Sequence, residues 1–326
     1  MTNLFTTESK SIPITKKMVK EAYRKVNSNK GSAGVDAESL EKFQENLLEN
    51  LYKIWNRMSS GSYFPKPVKE VIIPKAGGGE RKLGIPTISD RIAQEVVKTY
   101  LEPRLEAEFS ENSFGYRPRK SAHDALEKVR KNVRHYSWVV DMDIKSFFDE
   151  VDHELLLKAV DKHVPEKWAR MYITRWLECP IQTSKGDLIQ KKGEGTPQGG
   201  VISPLLANLF LHYVLDKWLE KTYPQLTFVR YADDVIVHCY SESQSLEVLN
   251  AIKSRLENCK LRLSEQKTKK VYCQAYNRPR QKSYPKKFDF LGFTFKPRTK
   301  ATKDGRLFLG FDCEISQKSQ TRIVQK

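Results

Sequence analysis

The sequence predicts an α+β protein built round a split βαββαβ unit, an antiparallel sheet packed on helices, and three observations predict it. Short apolar runs rich in β-branched residues alternate with longer helical patterns through the middle of the chain. Taken in order these read as strand (138–144), helix (203–221), strand (226–231), strand (235–240), helix (242–258) and strand (268–273), with residues 150–202 inserted after the first strand. The two middle strands are separated only by Ala232, Asp233 and Asp234, so they form a hairpin with two adjacent carboxylates at its tip. Taken alone, an Asp-Asp hairpin is a plain turn, because Asp bonds its local backbone. The chain order changes that reading, since the end of the first strand brings Asp141 or Asp143 beside the same tip.

The remaining elements follow from capping and periodicity. Thr15 opens a helix with Met18, Val19, Ala22, Tyr23 and Val26 on one stripe. Residues 30–36 form a basic, Gly-containing loop, and a second helix spans roughly 37 to 59, ending before Gly61. Residues 68–74 and 81–86 read as a hairpin turning at 76–79, with Lys75 and Arg81 near its tip. Ser89 is expected to cap a helix that turns Ile92, Val96, Val97 and Tyr100 inward, and Ser121 another with Ala122, Leu126, Val129 and Val133. Asp152 starts a helix at His153, and a second follows Pro165. A hairpin over 181–190 turns at Lys185-Gly186-Asp187, ahead of a Gly-rich loop at 193–200. Ser203-Pro204 gives an N-cap with Pro at the first helical position. A short strand is expected near 260–263. From Ile315 a helical pattern begins that stops at Lys326, where a further domain is expected to be cut short.

Charge points to a polyanionic partner. The formal net charge is +17, and residues 260–326 hold 18 Lys+Arg against 5 Asp+Glu, so +13 of it lies in the last fifth of the chain. Such a block suits a phosphate backbone, from which each neutralised phosphate releases counterions. Aromatics interleave with it (Tyr272, Tyr276, Tyr284, Phe288, Phe290, Phe293, Phe295, Phe308), which separates it from a disordered tail. No apolar run approaches a membrane span, and the first residues carry no apolar signal-peptide core. The five cysteines form no C-x-x-C pair, so neither a disulfide framework nor a zinc site is expected. An unexported, cytoplasmic chain is expected, with no membrane partner.

Three carboxylates meeting at one sheet edge repel each other, and a divalent cation removes that conflict. All-oxygen ligands suit Mg²⁺, which takes one or two carboxylates together with substrate phosphates. Two such ions clamp the attacking and leaving oxygens of an in-line phosphoryl displacement. With a basic hairpin for a triphosphate and a basic tail for a strand, nucleotidyl transfer is the reaction class these residues imply.

The chain resembles the reverse transcriptases, and most closely the group II intron-encoded reverse transcriptase/maturase type, from about Thr15 onward. Several motifs in order carry the resemblance. They are Lys30-Gly31-Ser32-Ala33-Gly34-Val35-Asp36, Arg81-Lys82-Leu83-Gly84-Ile85-Pro86 with Asp90-Arg91, and Phe114-Gly115-Tyr116-Arg117-Pro118. There follow Asp141-Met142-Asp143-Ile144-Lys145-Ser146-Phe147-Phe148-Asp149, Thr196-Pro197-Gln198-Gly199-Gly200-Val201-Ile202-Ser203-Pro204 and Tyr231-Ala232-Asp233-Asp234. The last are Ser264-Glu265-Gln266-Lys267-Thr268-Lys269 and Phe290-Leu291-Gly292-Phe293. Each motif alone is weak; the ordered set is specific.

The resemblance implies a right-hand polymerase with fingers and palm. It divides the chain into an N-terminal extension (1–60), fingers (61–137), a palm (138–314, with a finger insertion at about 150–202) and the start of a thumb (315–326). The Asp-Ile-Lys pattern selects Asp143 over Asp141 as the first catalytic carboxylate, with Asp233 and Asp234 completing the set. These three and the Ile144 carbonyl are the implied ligands of two Mg²⁺ ions, with Mn²⁺ as a substitute. Lys75 and Arg81 are expected to grip the triphosphate. Phe148 is expected to stack under the sugar and exclude a 2′-hydroxyl. Gln198 and Gly199 would meet the incoming nucleotide, and Lys267 the leaving pyrophosphate. Lys16, Lys17, Lys20, Arg24, Lys25 and Lys30 are expected to bind RNA. Implied partners are intron RNA, an RNA template with a DNA primer, dNTPs, and target DNA for the full-length protein. A homodimer is compatible with the family, and the implied host is bacterial in preference to organellar.

Overall fold

The computed structural model describes residues 12–74 and 79–325. Lys75 therefore lies outside the described residues. The strands are β1 (Val68–Pro74), β2 (Glu80–Ile85), β3 (Trp138–Asp143), β4 (Ile181–Gln182), β5 (Leu188–Ile189) and β6 (Thr227–Tyr231). They continue with β7 (Asp234–Cys239), β8 (Lys269–Tyr272), β9 (Phe288–Phe290), β10 (Phe293–Ala301) and β11 (Leu307–Ile315). The chain divides into two compact units, residues 1–108 with 148–209, and residues 109–147 with 210–326.

In the first unit a four-stranded sheet runs β2-β1-β4-β5, antiparallel except for the parallel β1–β4 pair. Its helical core centres on Ile88–Glu106, which buries Ile88, Ile92, Ala93, Val96, Val97, Leu101 and Leu105. The cap of that helix is Thr87, not the expected Ser89. Thr87 Oγ1 accepts from the Asp90 amide at 3.1 Å and donates to Asp90 Oδ2 at 2.7 Å. Thr87 follows Pro86 in extended geometry, so the chain turns into the helix one residue before Ser89 is reached. The helix opened by Thr15 is Lys16–Asn29, burying Val19, Ala22, Tyr23 and Val26 as its stripe predicts.

The single helix expected over 37–59 is two, Leu40–Glu45 and Leu47–Ser59. Asn46 leaves helical geometry between them (φ −119°, ψ 38°), and the Asn50 side chain donates to the Phe43 carbonyl at 3.0 Å. Polar side chains thus satisfy the backbone groups that a continuous helix would have paired.

In the second unit a four-stranded antiparallel sheet runs β6-β7-β3-β8, with β3 and β7 at its centre. This is the strand order a βαββαβ unit requires. Helix Ala122–Asn132 packs Ala125, Leu126 and Val129 on Val139, Val229, Ile236 and Val271. Helix Glu242–Asn258 buries Val248, Ile252 and Leu256 and also contacts β3 and β7. Three expectations fail here. Residues 260–263 form no strand, because Lys260 turns left-handed (φ +61°) to close that helix and only Leu263 bridges to Ile144. The helix from Ser203 is interrupted by a π-helical turn, His212–Asp216, before Lys217–Thr222 completes it. Its first bond runs from the Leu206 amide to the Ile202 carbonyl, so Ser203 is already helical and is not the cap.

The sequence reading assigned no strands to residues 274–314, yet these hold the three-stranded sheet β11-β10-β9. Phe288 and Phe295 stack there at 4.9 Å, nearly parallel, and join Phe311 in the same core as Val139 and Ile236. The aromatics that interleave with the basic block are in part this core. Among the described residues no helix is long and apolar enough to cross a membrane.

Candidate active site

The site is built from the ends of two paired strands. β3 and β7 are in register so that Asp143 faces Asp234, while Asp141 faces Ile236. The pairing therefore sets Asp143, and not Asp141, opposite the hairpin carboxylate. Side chains of directly opposed residues project from one face. On that face Val139 and Ile236 are apolar under helix Ala122–Asn132, and the strand ends beyond them turn acidic. β6 and β7 are joined by a two-residue turn, Ala232-Asp233, with Tyr231 paired to Asp234. Asp233 thus sits in the turn and Asp234 opens β7.

Electrostatics mark the cluster as unbalanced. Burial, then the Asp233, Asp143 and Asp141 carboxylates, push the Asp234 pKa up to about 7, and Lys267 pulls it back. Since the Asp234 side chain is itself exposed, the crowding of carboxylates is the durable part of that rise. Burial likewise pushes Asp141 up to about 6, against the pull of Lys269, whose Nζ lies 3.4 Å from Asp141 Oδ2. Lys267 Nζ donates to Asp143 Oδ2 at 2.8 Å, and that bond raises the lysine's own pKa. An ammonium thus occupies an oxygen of the acidic set, which is where a cation is wanted. Ile144 is buried, its backbone bridged to Leu263. Among the described residues no three His, Cys, Asp or Glu side chains already close on one point as a metal cage.

The turn has a support that sequence reasoning missed. Ala232 is left-handed (φ +56°), a conformation costing a residue with Cβ about 1–2 kcal/mol. Arg230 Nη1 donates to the Ala232 carbonyl at 3.1 Å. Its Nε and Nη2 donate to the two Asp216 carboxylate oxygens at 2.7 and 2.6 Å, and both side chains are fully buried. Removing one partner of such a pair costs about 3–5 kcal/mol. Asp216 comes from the π-helical turn. On the other side Gly115 lies so close that a Cβ there would meet the Ala232 amide nitrogen at 2.5 Å. The signal for this brace was a lone Arg in an otherwise apolar strand, which demands a buried partner.

The other expected residues lie in the first unit, apart from Lys267. Phe148 is half-buried and Gln198 stands with it in a cleft of about 490 Å³ that Lys82, Gly84, Lys191 and Glu194 also line. The Phe148 carbonyl accepts from the Thr196 amide at 2.7 Å, and Gln198 accepts from the Gly84 amide at 2.7 Å. Gly199 (φ +115°) is required there, because a Cβ would lie 2.5 Å from the Gly84 carbonyl oxygen. Gly199 and Arg81 are not among the residues lining that cleft; Lys82, paired to Glu70 at 3.3 Å, is. Lys82 and Lys191 were not singled out from the sequence.

Of the expected RNA contacts, Lys16 lies 4.6 Å over the Trp55 ring, and Lys17, Lys20 and Arg24 are exposed on the same helix. Lys25 is also exposed, with its Nζ 3.0 Å from Glu95 and donating to Thr99. The exposed Lys30 starts a loop held by Arg91, whose Nη1 donates to the Lys30 carbonyl at 3.3 Å and whose Nη2 donates to the Ser32 carbonyl.

Known proteins resemble the chain in fold and in sequence. A solved apo telomerase of Candida tropicalis, truncated from its C-terminal domain, superposes with TM-score 0.57 over 77% of this chain and 55% of that one at 14% identity. That likeness shows the fold, the right-hand polymerase fold. In sequence, protein YkfC of Escherichia coli K12 is 32% identical over 76% of this chain and 75% of its own length. The group II intron-encoded protein LtrA of Lactococcus lactis is 35% identical over 61% of this chain, which spans 33% of that longer protein. The family model described as reverse transcriptase (RNA-dependent DNA polymerase) matches residues 73–295, which hold Asp143, Asp233 and Asp234, and the chain belongs to that family.

Proposed function

We propose that the protein copies RNA into DNA at the acidic strand ends of its second unit, as the reverse transcriptase of a group II intron that also binds intron RNA as a maturase. The observation that carries this is the pairing of Asp143 with Asp234, with Asp233 in the adjoining turn. On this reading the second unit is the palm and the first the fingers with the N-terminal extension.

Asp143, Asp233 and Asp234 would hold divalent cations. Oxygen-only donors, mutual repulsion and an ammonium already on Asp143 all fit Mg²⁺, which needs only one or two carboxylates and completes its shell with water and phosphates. Two Mg²⁺ ions, with Mn²⁺ as a substitute, supply activation of the primer hydroxyl and charge neutralisation at the leaving pyrophosphate. The chain's own residues do the rest. Asp143 and Asp234 fix the acidic edge through the β3–β7 register. Lys267 is released from Asp143 when that edge is otherwise neutralised and is then free to donate a proton to, or balance charge on, pyrophosphate. Phe148 discriminates against the 2′-hydroxyl, and Gln198 and Lys82 contact the incoming nucleotide in their cleft. Lys16, Lys17, Lys20 and Arg24 form the outer, RNA-facing stripe of their helix.

The test is extension of a DNA primer on an RNA template with the four dNTPs. Extension that stops with a chelator and returns with Mg²⁺ is expected. A protein that binds intron RNA tightly but adds no nucleotide to a primer would instead be a splicing cofactor alone.

A further inference from the structure

We propose that Arg230 is a positioning residue for the acidic centre, acting through the Ala232 carbonyl; this rests on the reading of Asp233 and Asp234 as the catalytic pair. Its contacts with Asp216 and Ala232 divide into two jobs. Nε and Nη2 are spent on Asp216, which balances the charge of a side chain with no access to solvent. Nη1 is left over and reaches forward two residues to the carbonyl of Ala232, the left-handed residue on which the turn depends.

The backbone of Arg230 is held as well. Its amide donates to the Asn112 carbonyl at 2.9 Å and its carbonyl accepts from the Phe114 amide at 2.8 Å. The strand position that carries the guanidinium is therefore anchored through both its backbone groups. The Ala232 methyl offers no hydrogen bond to hold the left-handed form, and Gly115 packs closely against the Ala232 amide. That carbonyl belongs to the peptide joining Ala232 to Asp233, and Asp234 is the next residue, so its orientation sets the backbone from which both carboxylates project. A turn free to relax would move both away from Asp143. The Asp216–Arg230 pair thus transmits the rigidity of the helical run to the carboxylates that must converge.

A purely structural ion pair makes a different prediction, which the double variant Arg230→Met/Asp216→Leu exposes. It removes both buried charges together, so the fold is expected to be retained. Positioning predicts that turnover in primer extension falls about 10²-fold while KM for template–primer is unchanged. It also predicts weaker Mn²⁺ binding by electron paramagnetic resonance titration without nucleotide, and faster amide exchange at residues 232–234. If the double variant keeps wild-type Mn²⁺ affinity and turnover, Arg230 only fills space and the proposal is overturned. Should it fail to fold, Arg230→Lys keeps a charge for Asp216 but loses the reach to Ala232, and the same losses are expected; wild-type values there also overturn the proposal. Asp233→Asn separates the two levels. Extension surviving in Asp233→Asn rejects the active-site reading itself, whereas a dead Asp233→Asn beside a fully active double variant rejects only the role of Arg230.

Discussion

The acidic centre is held by contacts of individual atoms. Lys267 Nζ on Asp143 is a cation already in place, and its raised pKa keeps it charged until something else neutralises Asp143. Lys267→Ala is expected to lower turnover about 10²-fold with template affinity unchanged, measured by single-turnover extension. Phe148→Ala is expected to raise ribonucleotide incorporation relative to dNTPs about tenfold or more, read on a sequencing gel; unchanged selectivity would contradict the gate. At this scale the sequence places Asp233 and Asp234 at a hairpin tip with Asp141 or Asp143 beside them, and only the resemblance to the reverse transcriptases selects Asp143. It hides Arg230 and Asp216, which lie 14 residues apart on a helical turn and a strand and gain meaning only when buried together.

At the scale of elements, the βαββαβ order was legible because each strand is a compact β-branched run between clear helices. The sheet β11-β10-β9 was not, since in β10 Lys296, Arg298 and Lys300 follow Phe293 and Phe295 and blur the apolar period, so that the segment mimics a basic nucleic-acid surface. Phe295 is fully buried in that sheet, and Phe295→Ala should cost about 3–5 kcal/mol of stability, measured by urea unfolding. A merely surface aromatic would cost far less. In the first unit, the Arg104 guanidinium donates to Glu166 at 2.8 and 2.9 Å and holds its pKa down to about 2. The contribution of this pair is full above the ordinary carboxylate range and is lost as pH falls from about 4.5 toward 2. The unfolding free energy of the parent should therefore drop over that window by about 1 kcal/mol more than that of Glu166→Gln; parallel curves would refute the pairing.

Taken whole, the molecule sets an acidic edge in a strongly basic chain. Of the +17 net charge, +13 belongs to residues 260–326, which also supply β8 to β11. Binding of single-stranded RNA should therefore fall steeply with salt, with a log–log slope of about −3 or steeper, and a flat dependence would argue against a phosphate-tracking surface. That affinity should survive loss of a catalytic carboxylate, because the basic residues and the acidic edge do separate work. The most direct test of the central claim is Mg²⁺-dependent primer extension on an RNA template by Asp233→Asn beside the parent protein. The account predicts no extension from a variant that is folded and still binds RNA; extension at the parent's rate would contradict it.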